Sequence, residues 1–136
     1  MPGYSGTALP KKLGIKAGFR VHLANAPGEV RAELREALTE CEMKTKPGDV
    51  LDFVMLFTKS RAELAREFSR LAKLLAPAGM LWVSWPKKSS GVASDVDENL
   101  VRGIGLDAGL VDVKVCAVTE VWSGLKFVRR VKDRKA

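Results

Sequence analysis

Along this chain, uncharged apolar runs alternate with segments whose apolar residues recur every three to four positions. The runs Phe19–Ala24, Val50–Phe57 and Met80–Trp85 carry almost no charge, the pattern of strands covered on both faces. After Pro27-Gly28, Val30, Leu34, Ala37 and Leu38 share one face of a predicted helix, and Glu33, Arg35 and Glu36 turn away from it. A second helix begins at a capping box of Ser60 and Glu63 and continues through Leu64, Phe68, Leu71 and Leu75. Pro77 and Gly79 stop it. A weaker box, Ser94 with Asp97, predicts a third helix with Val96, Leu100 and Ile104 inward, ending by Gly109.

The last third of the chain changes character. In Leu110–Val118, Val111, Val113, Val115 and Ala117 alternate with Asp112 and Lys114, which predicts a half-exposed edge strand with its valines on the covered side. A final strand runs from Trp122 to about Val131, and the short gap makes the last two strands an antiparallel hairpin. The order βαβαβαββ predicts a three-layer α/β, Rossmann-like sheet. Its five long strands take the order 1-2-3-5-4, with the last strand antiparallel. Cys41–Lys44 has room for one very short strand beyond the first, followed by a turn at Lys46-Pro47-Gly48-Asp49. The expected organisation is a loose arm over residues 1–12, one α/β domain over 13–131 and a basic tail over 132–136.

Composition is that of an ordinary globular domain, 46% apolar and 29% charged over 136 residues. No apolar run approaches a membrane span and no signal segment opens the chain, so the default expectation is a cytoplasmic protein without a membrane partner. Cys41 and Cys116 lack metal or redox spacing, and Cys116 is expected to be a buried free thiol. The formal charge of +7 is unevenly placed. Lys11, Lys12, Lys16 and Arg20 make residues 1–20 +4; Lys126, Arg129, Arg130, Lys132, Arg134 and Lys135 against Asp133 make residues 126–136 +5; the 105 residues between carry −2. Basic ends suit nucleic acid, ribosomes or acidic proteins; they also serve as solubilising tails.

Several stretches resemble the methyltransferase-type Rossmann-like fold: Leu13-Gly14-Ile15-Lys16-Ala17-Gly18-Phe19-Arg20-Val21, Leu51–Phe57, Leu75-Ala76-Pro77-Ala78-Gly79-Met80-Leu81-Trp82-Val83 and Asp107-Ala108-Gly109-Leu110-Val111-Asp112-Val113. The whole chain, with Tyr4-Ser5-Gly6-Thr7, Trp85-Pro86-Lys87-Lys88 and Trp122-Ser123-Gly124-Leu125-Lys126, is also similar to a family of short bacterial proteins of unknown function. In the methyltransferases the resemblance implies an acidic, glycine-rich turn after the first strand and an acid ending the second strand that grips the ribose. Here the turn is Leu23-Ala24-Asn25-Ala26-Pro27-Gly28, and only Glu40 or Glu42 stands near the acid's place. Backbone approach to a cofactor needs glycines. The frame therefore looks truncated, and neither S-adenosylmethionine nor another cofactor is expected.

In an open α/β sheet, ligands meet the loops at the carboxyl ends of the strands. Those loops offer Asn25, Gly28, Lys59, Ser60, Trp85, Lys87, Lys88 and Ser89, and the antiparallel last strand adds Trp122 and Ser123. Lysines against indole faces would hold a small anion or a nucleotide, and helix starts at Gly28, Ser60 and Ser94 would add amides. The alternative is that the tryptophans cap the sheet end and the lysines are solvated. His22, alone inside the first strand, reads as a core histidine, Asp52 as the partner of an amide or base, and Ser84 lacks a nucleophile elbow. No Walker loop, zinc set or triad is present. The expectation leans away from catalysis, toward a binding or regulatory module. A nucleotide-like or S-adenosylmethionine-binding enzyme or sensor, and an RNA- or ribosome-associated protein, are the alternatives.

Overall fold

The computed structural model describes residues 8–46, 48 and 50–134; Tyr4-Ser5-Gly6-Thr7, Pro47, Asp49 and Lys135 lie outside them. The elements are α1 (Leu9–Leu13), β1 (Arg20–Ala24), α2 (Gly28–Leu38), β2 (Glu42–Met43), β3 (Leu51–Phe57), α3 (Arg61–Ala72), β4 (Leu75–Pro86), α4 (Glu98–Asp107), β5 (Leu110–Ala117) and β6 (Trp122–Arg129). Short 3-10 turns stand at Lys88–Ser90 and Val131–Asp133. Among the described residues the strands form one sheet of order β2-β1-β3-β4-β6-β5. β2, β1, β3 and β4 run parallel, and β6 lies antiparallel between β4 and β5. The five long strands thus stand in the expected order. The two-residue β2 does extend the sheet past β1, with Arg20 opposite Glu42 and Val21 opposite Met43.

The sheet has two cores because side chains alternate across it. Val54, Leu56, Leu81, Val83, Trp85, Leu125 and Phe127 face Leu64, Phe68 and Leu71 of α3 and Val101 of α4. Phe53, Met55, Phe57, Met80, Trp82 and Trp122 face Leu9 and Leu13 of α1 and Val30 and Leu34 of α2. On the first face the fit is close. A Cβ at Gly105 would be driven into the ring of Phe127, which itself meets Phe68 edge-on at 5.2 Å. Glycine at 105 lets α4 settle on β6, which is why the helix runs through to Asp107 despite the propensity cost.

Four expectations need correction. Residues 9–12 are not part of a loose arm but form α1 with Leu13: Leu9 and Leu13 are buried, and Trp82 Nε1 donates 2.9 Å to the Leu13 carbonyl. Two anchoring leucines in five residues leave too short a trace for periodicity to find. Leu75 is not on the α3 face but opens β4 opposite Leu51, and the residues before Met80 bulge out. Gly79 makes that bulge possible, since a Cβ there would lie 2.7 Å from the Leu51 carbonyl oxygen. α4 starts at Glu98, capped by Asp97, whose Oδ1 accepts from the Leu100 amide; Ser94 instead accepts from Val96. The valines of β5 are not on the covered side: Val113 and Val115 are half exposed. A bulge between Asp112 and Lys114 breaks the two-residue alternation.

Candidate functional site

β1 ends at Ala24, and the chain order reverses between β1 and β3, the switch point where open α/β sheets take ligands. Asn25 follows with φ of 61°, the left-handed region that asparagine tolerates better than bulkier residues. Its Nδ2 donates 3.2 Å to the carbonyl of Phe57, the last residue of β3. The Asn25 side chain thus ties the two strand ends together across the mouth. Pro27 then caps α2 with no side-chain hydrogen bond, and Gly28 is exposed with open space where a Cβ would stand.

β2 contributes little to this edge. It stops at Met43, opposite Val21, three residues before β1 ends. Glu42 stands opposite Arg20 at the far end of β1 and pairs with Lys44 at 2.8 Å; that contact and the nearby charge hold its carboxyl below the usual range. At about 3.3 Å per residue, Glu42 lies roughly 13 Å short of the Ala24 edge. Lys44 follows, its carbonyl 2.6 Å from His22 Nδ1. A carbonyl only accepts, so the His22 proton sits on Nδ1 and the ring is a buried structural donor.

The other loops close on themselves. Ser60 Oγ accepts from the Glu63 amide as half of the expected capping box, while Glu63 turns its carboxylate to Thr58 Oγ1 at 2.6 Å. The Arg61 amide donates 2.7 Å to Asp95. Ser94 Oγ and the Asp95 amide both donate to the Lys59 carbonyl. Loop 91–97 is thereby laced over the start of α3, and two helix starts, of α3 and α4, already hold acids of this chain. Nothing in the local sequence says which helix Asp95 serves; a run of acids before α4 signals only that some amide is near.

Trp122 and Ser123 do come beside Trp85 and Pro86, in the register Pro86–Trp122 and Trp85–Ser123. The two indoles nevertheless lie on opposite faces of the sheet. Trp85 joins the α3–α4 core, and Trp122 joins the α1–α2 core, meeting Phe57 edge-on at 5.2 Å. Adjacent antiparallel positions that are offset by one cannot share a face. Lys87 is fixed through its amide to the Val121 carbonyl at 2.8 Å, and Lys59, Lys88 and Ser89 are exposed on the rim. Asn25 and Gly28 lie at the switch point. Ser84 Oγ donates to the Ser123 carbonyl at 2.6 Å. Asp52 receives both the Arg20 amide and its guanidinium, which keep its carboxyl below the usual range. Cys116 is a buried free thiol, pushed up by desolvation, with Lys12 and Lys114 opposing. Among the described residues no group of histidines, cysteines and acids is placed to hold a metal, and no helix is long and apolar enough to cross a membrane.

Solved structures share this frame. A putative type 11 methyltransferase from Sulfolobus solfataricus matches with a TM-score of 0.61 at 16% identity, covering 90% of this chain and 89% of that one. Magnesium protoporphyrin IX methyltransferase from Synechocystis, with bound SAM, matches with 0.59 at 16% identity over 90% and 74%. The methyltransferase CalO1 of calicheamicin biosynthesis, in its SAH-bound form, matches with 0.66 at 13% identity over 90% and 53%. These superpositions show a methyltransferase-like Rossmann fold, and at such low identities the fold alone. No curated protein matches the chain. A family profile described as protein of unknown function, DUF3052, matches residues 11–131, so this chain belongs to the DUF3052 family.

Proposed function

We propose that this protein is a non-catalytic binding module on a methyltransferase-like frame whose adenosyl seat has been given up. One observation carries the reading: the Asn25 side chain spans the switch point to the Phe57 carbonyl where a cofactor would lie against bare backbone. The position of Glu42, roughly 13 Å short of the Ala24 edge, adds to it, because no β2 acid reaches the place of a ribose. The residues at the switch point therefore do not fit S-adenosylmethionine as the methyltransferases hold it. A small anion at the rim would compete with Asp95 for the Arg61 amide, which argues against the loop over α3 as its seat.

A second reading, an adenosyl-binding enzyme or sensor, is favoured by the amino end of α2, which has no side-chain cap, and by the SAM and SAH of the structural neighbours. Thermal shift and calorimetric titration with SAM, SAH and ATP, on the wild type and on Asn25→Gly, separate the two. The module reading expects no saturable shift from either protein, because clearing the mouth does not supply a ribose acid. A saturable rise of several degrees in the wild type would replace it with the second reading.

A further inference from the structure

The two basic ends of the chain are far apart in sequence, yet the fold lays them side by side. β6 runs past the end of α1, and the Lys126 ammonium on β6 lies 3.8 Å from where a Cβ of Gly14 would stand. Lys114 on β5 stands directly opposite Lys126 in the β5–β6 register and donates 2.9 Å to the Lys12 carbonyl. Lys12 Nζ donates 2.7 Å to the Ala117 carbonyl. Burial pulls the Lys126 pKa down, and the charges of Lys114 and Lys16 lower it further.

This arrangement is not what sheet energetics prefers. Like charges directly opposite one another destabilise a strand pair. The bulge between Asp112 and Lys114 creates the pairing. In regular alternation both side chains would share a face. Instead Asp112 turns to Arg102 of α4 at 3.0 Å, and Lys114 turns to the α1 side beside Lys126. Bulges re-aim side chains, and here the bulge separates an acid from the lysines. Beyond Lys126 the strand leads to Arg130, Lys132 and Arg134, all exposed. Arg20 pairs with Asp52, and Arg129 donates to the Ala72 carbonyl at the end of α3 and to the Leu75 carbonyl at the start of β4.

We infer that the α1–β5–β6 face, through Lys16, Lys114 and Lys126, binds the phosphate backbone of nucleic acid without base selection. Lysines act as point charges, which suits repeated phosphates; the large apolar residues exposed on β5 and just past β6 are the valines 113, 115 and 131, and among the described residues none of the exposed large apolar side chains is an aromatic ring for stacking or membrane insertion. The inference names a partner class for the proposed binding module and rests on that reading. The two fail separately, since cofactor binding is read by titration with SAM and this surface by titration with nucleic acid.

The test is fluorescence anisotropy with a labelled single-stranded RNA of mixed sequence and a DNA duplex of equal length. With about three phosphates neutralised, affinity for the RNA should fall about twenty-fold between 50 and 200 mM KCl. Lys114→Gln with Lys126→Gln should weaken binding at least about ten-fold and flatten the logarithmic salt slope by about 1 to 1.5. Lys114→Arg with Lys126→Arg should keep it. Arg35→Gln with Lys73→Gln, which removes the same charge from other faces, should change affinity less than about two-fold. Absence of saturable binding overturns the inference. So does an equal loss in the Arg35/Lys73 variant, or tighter binding to polyglutamate or phosphatidylserine vesicles than to RNA at equal charge.

Discussion

The two faces of this sheet are built on different terms. One is covered by two full helices, α3 and α4, and fits so closely that Gly105 has no room for a methyl group against Phe127. The other is covered by α2 and the five-residue α1, and over β5 and β6 lysine stems take the place of a helix. The close face explains its residues by packing alone. The open face keeps opposed lysines that packing does not explain, and that difference points to where partners would meet the molecule.

Substitutions can break this contrast. Gly105→Ala should lower stability by about 3 kcal/mol, read in urea unfolding, because overpacking a closed core forces ring and helix apart. A loss below about 1 kcal/mol would mean that the α4 face yields as easily as the other. Trp82→Phe, on the α1 side, deletes the bond that holds the Leu13 carbonyl in a buried site; it should cost about 2 kcal/mol and raise amide exchange through residues 9–14. Unchanged exchange there would show that Leu9 and Leu13 hold α1 unaided.

Asp52→Asn should cost about 1 kcal/mol near neutral pH, since the pair is partly exposed and solvent screens it. The sign follows from the Asp52 pKa, which lies below its ordinary value. Its stabilisation is present above the ordinary aspartate value and is lost as pH falls through the depressed one. Acid unfolding of the variant should therefore be flatter in that window; equal slopes would remove the Arg20–Asp52 pair from the account. The smallest effect should be a gain. Lys126→Met relieves a half-buried charge facing Lys114 and should add about 0.5 kcal/mol at low salt after allowance for screening, fading as salt rises. Destabilisation instead would show that the lysines are held there for the fold.

Much of the frame is visible in the residues themselves. The uncharged run Met80–Trp85 has to be central, and Leu64, Phe68 and Leu71 can share a face only as a helix. The hairpin of β5 and β6 follows from the short gap before Trp122. The candidate site was less accessible. Position on a loop places Asn25, Lys59 and Trp85 at one edge, but pointing direction is not a property of sequence spacing when strands are joined at an offset. Trp85 and Trp122 parted to opposite cores for that reason. Asp95 is invisible as an acceptor for the first amide of α3 because that amide lies 34 residues away.

By itself the sequence determined the five long strands, the three long helices, their order and the missing glycine turn, because these depend on neighbours within a few residues. Only the tertiary structure decided that Asn25 reaches across to β3, that α1 docks under Trp82, and that a one-residue bulge turns Lys114 toward Lys126. Each of these is a contact between distant segments, fixed by packing and register rather than by local preference.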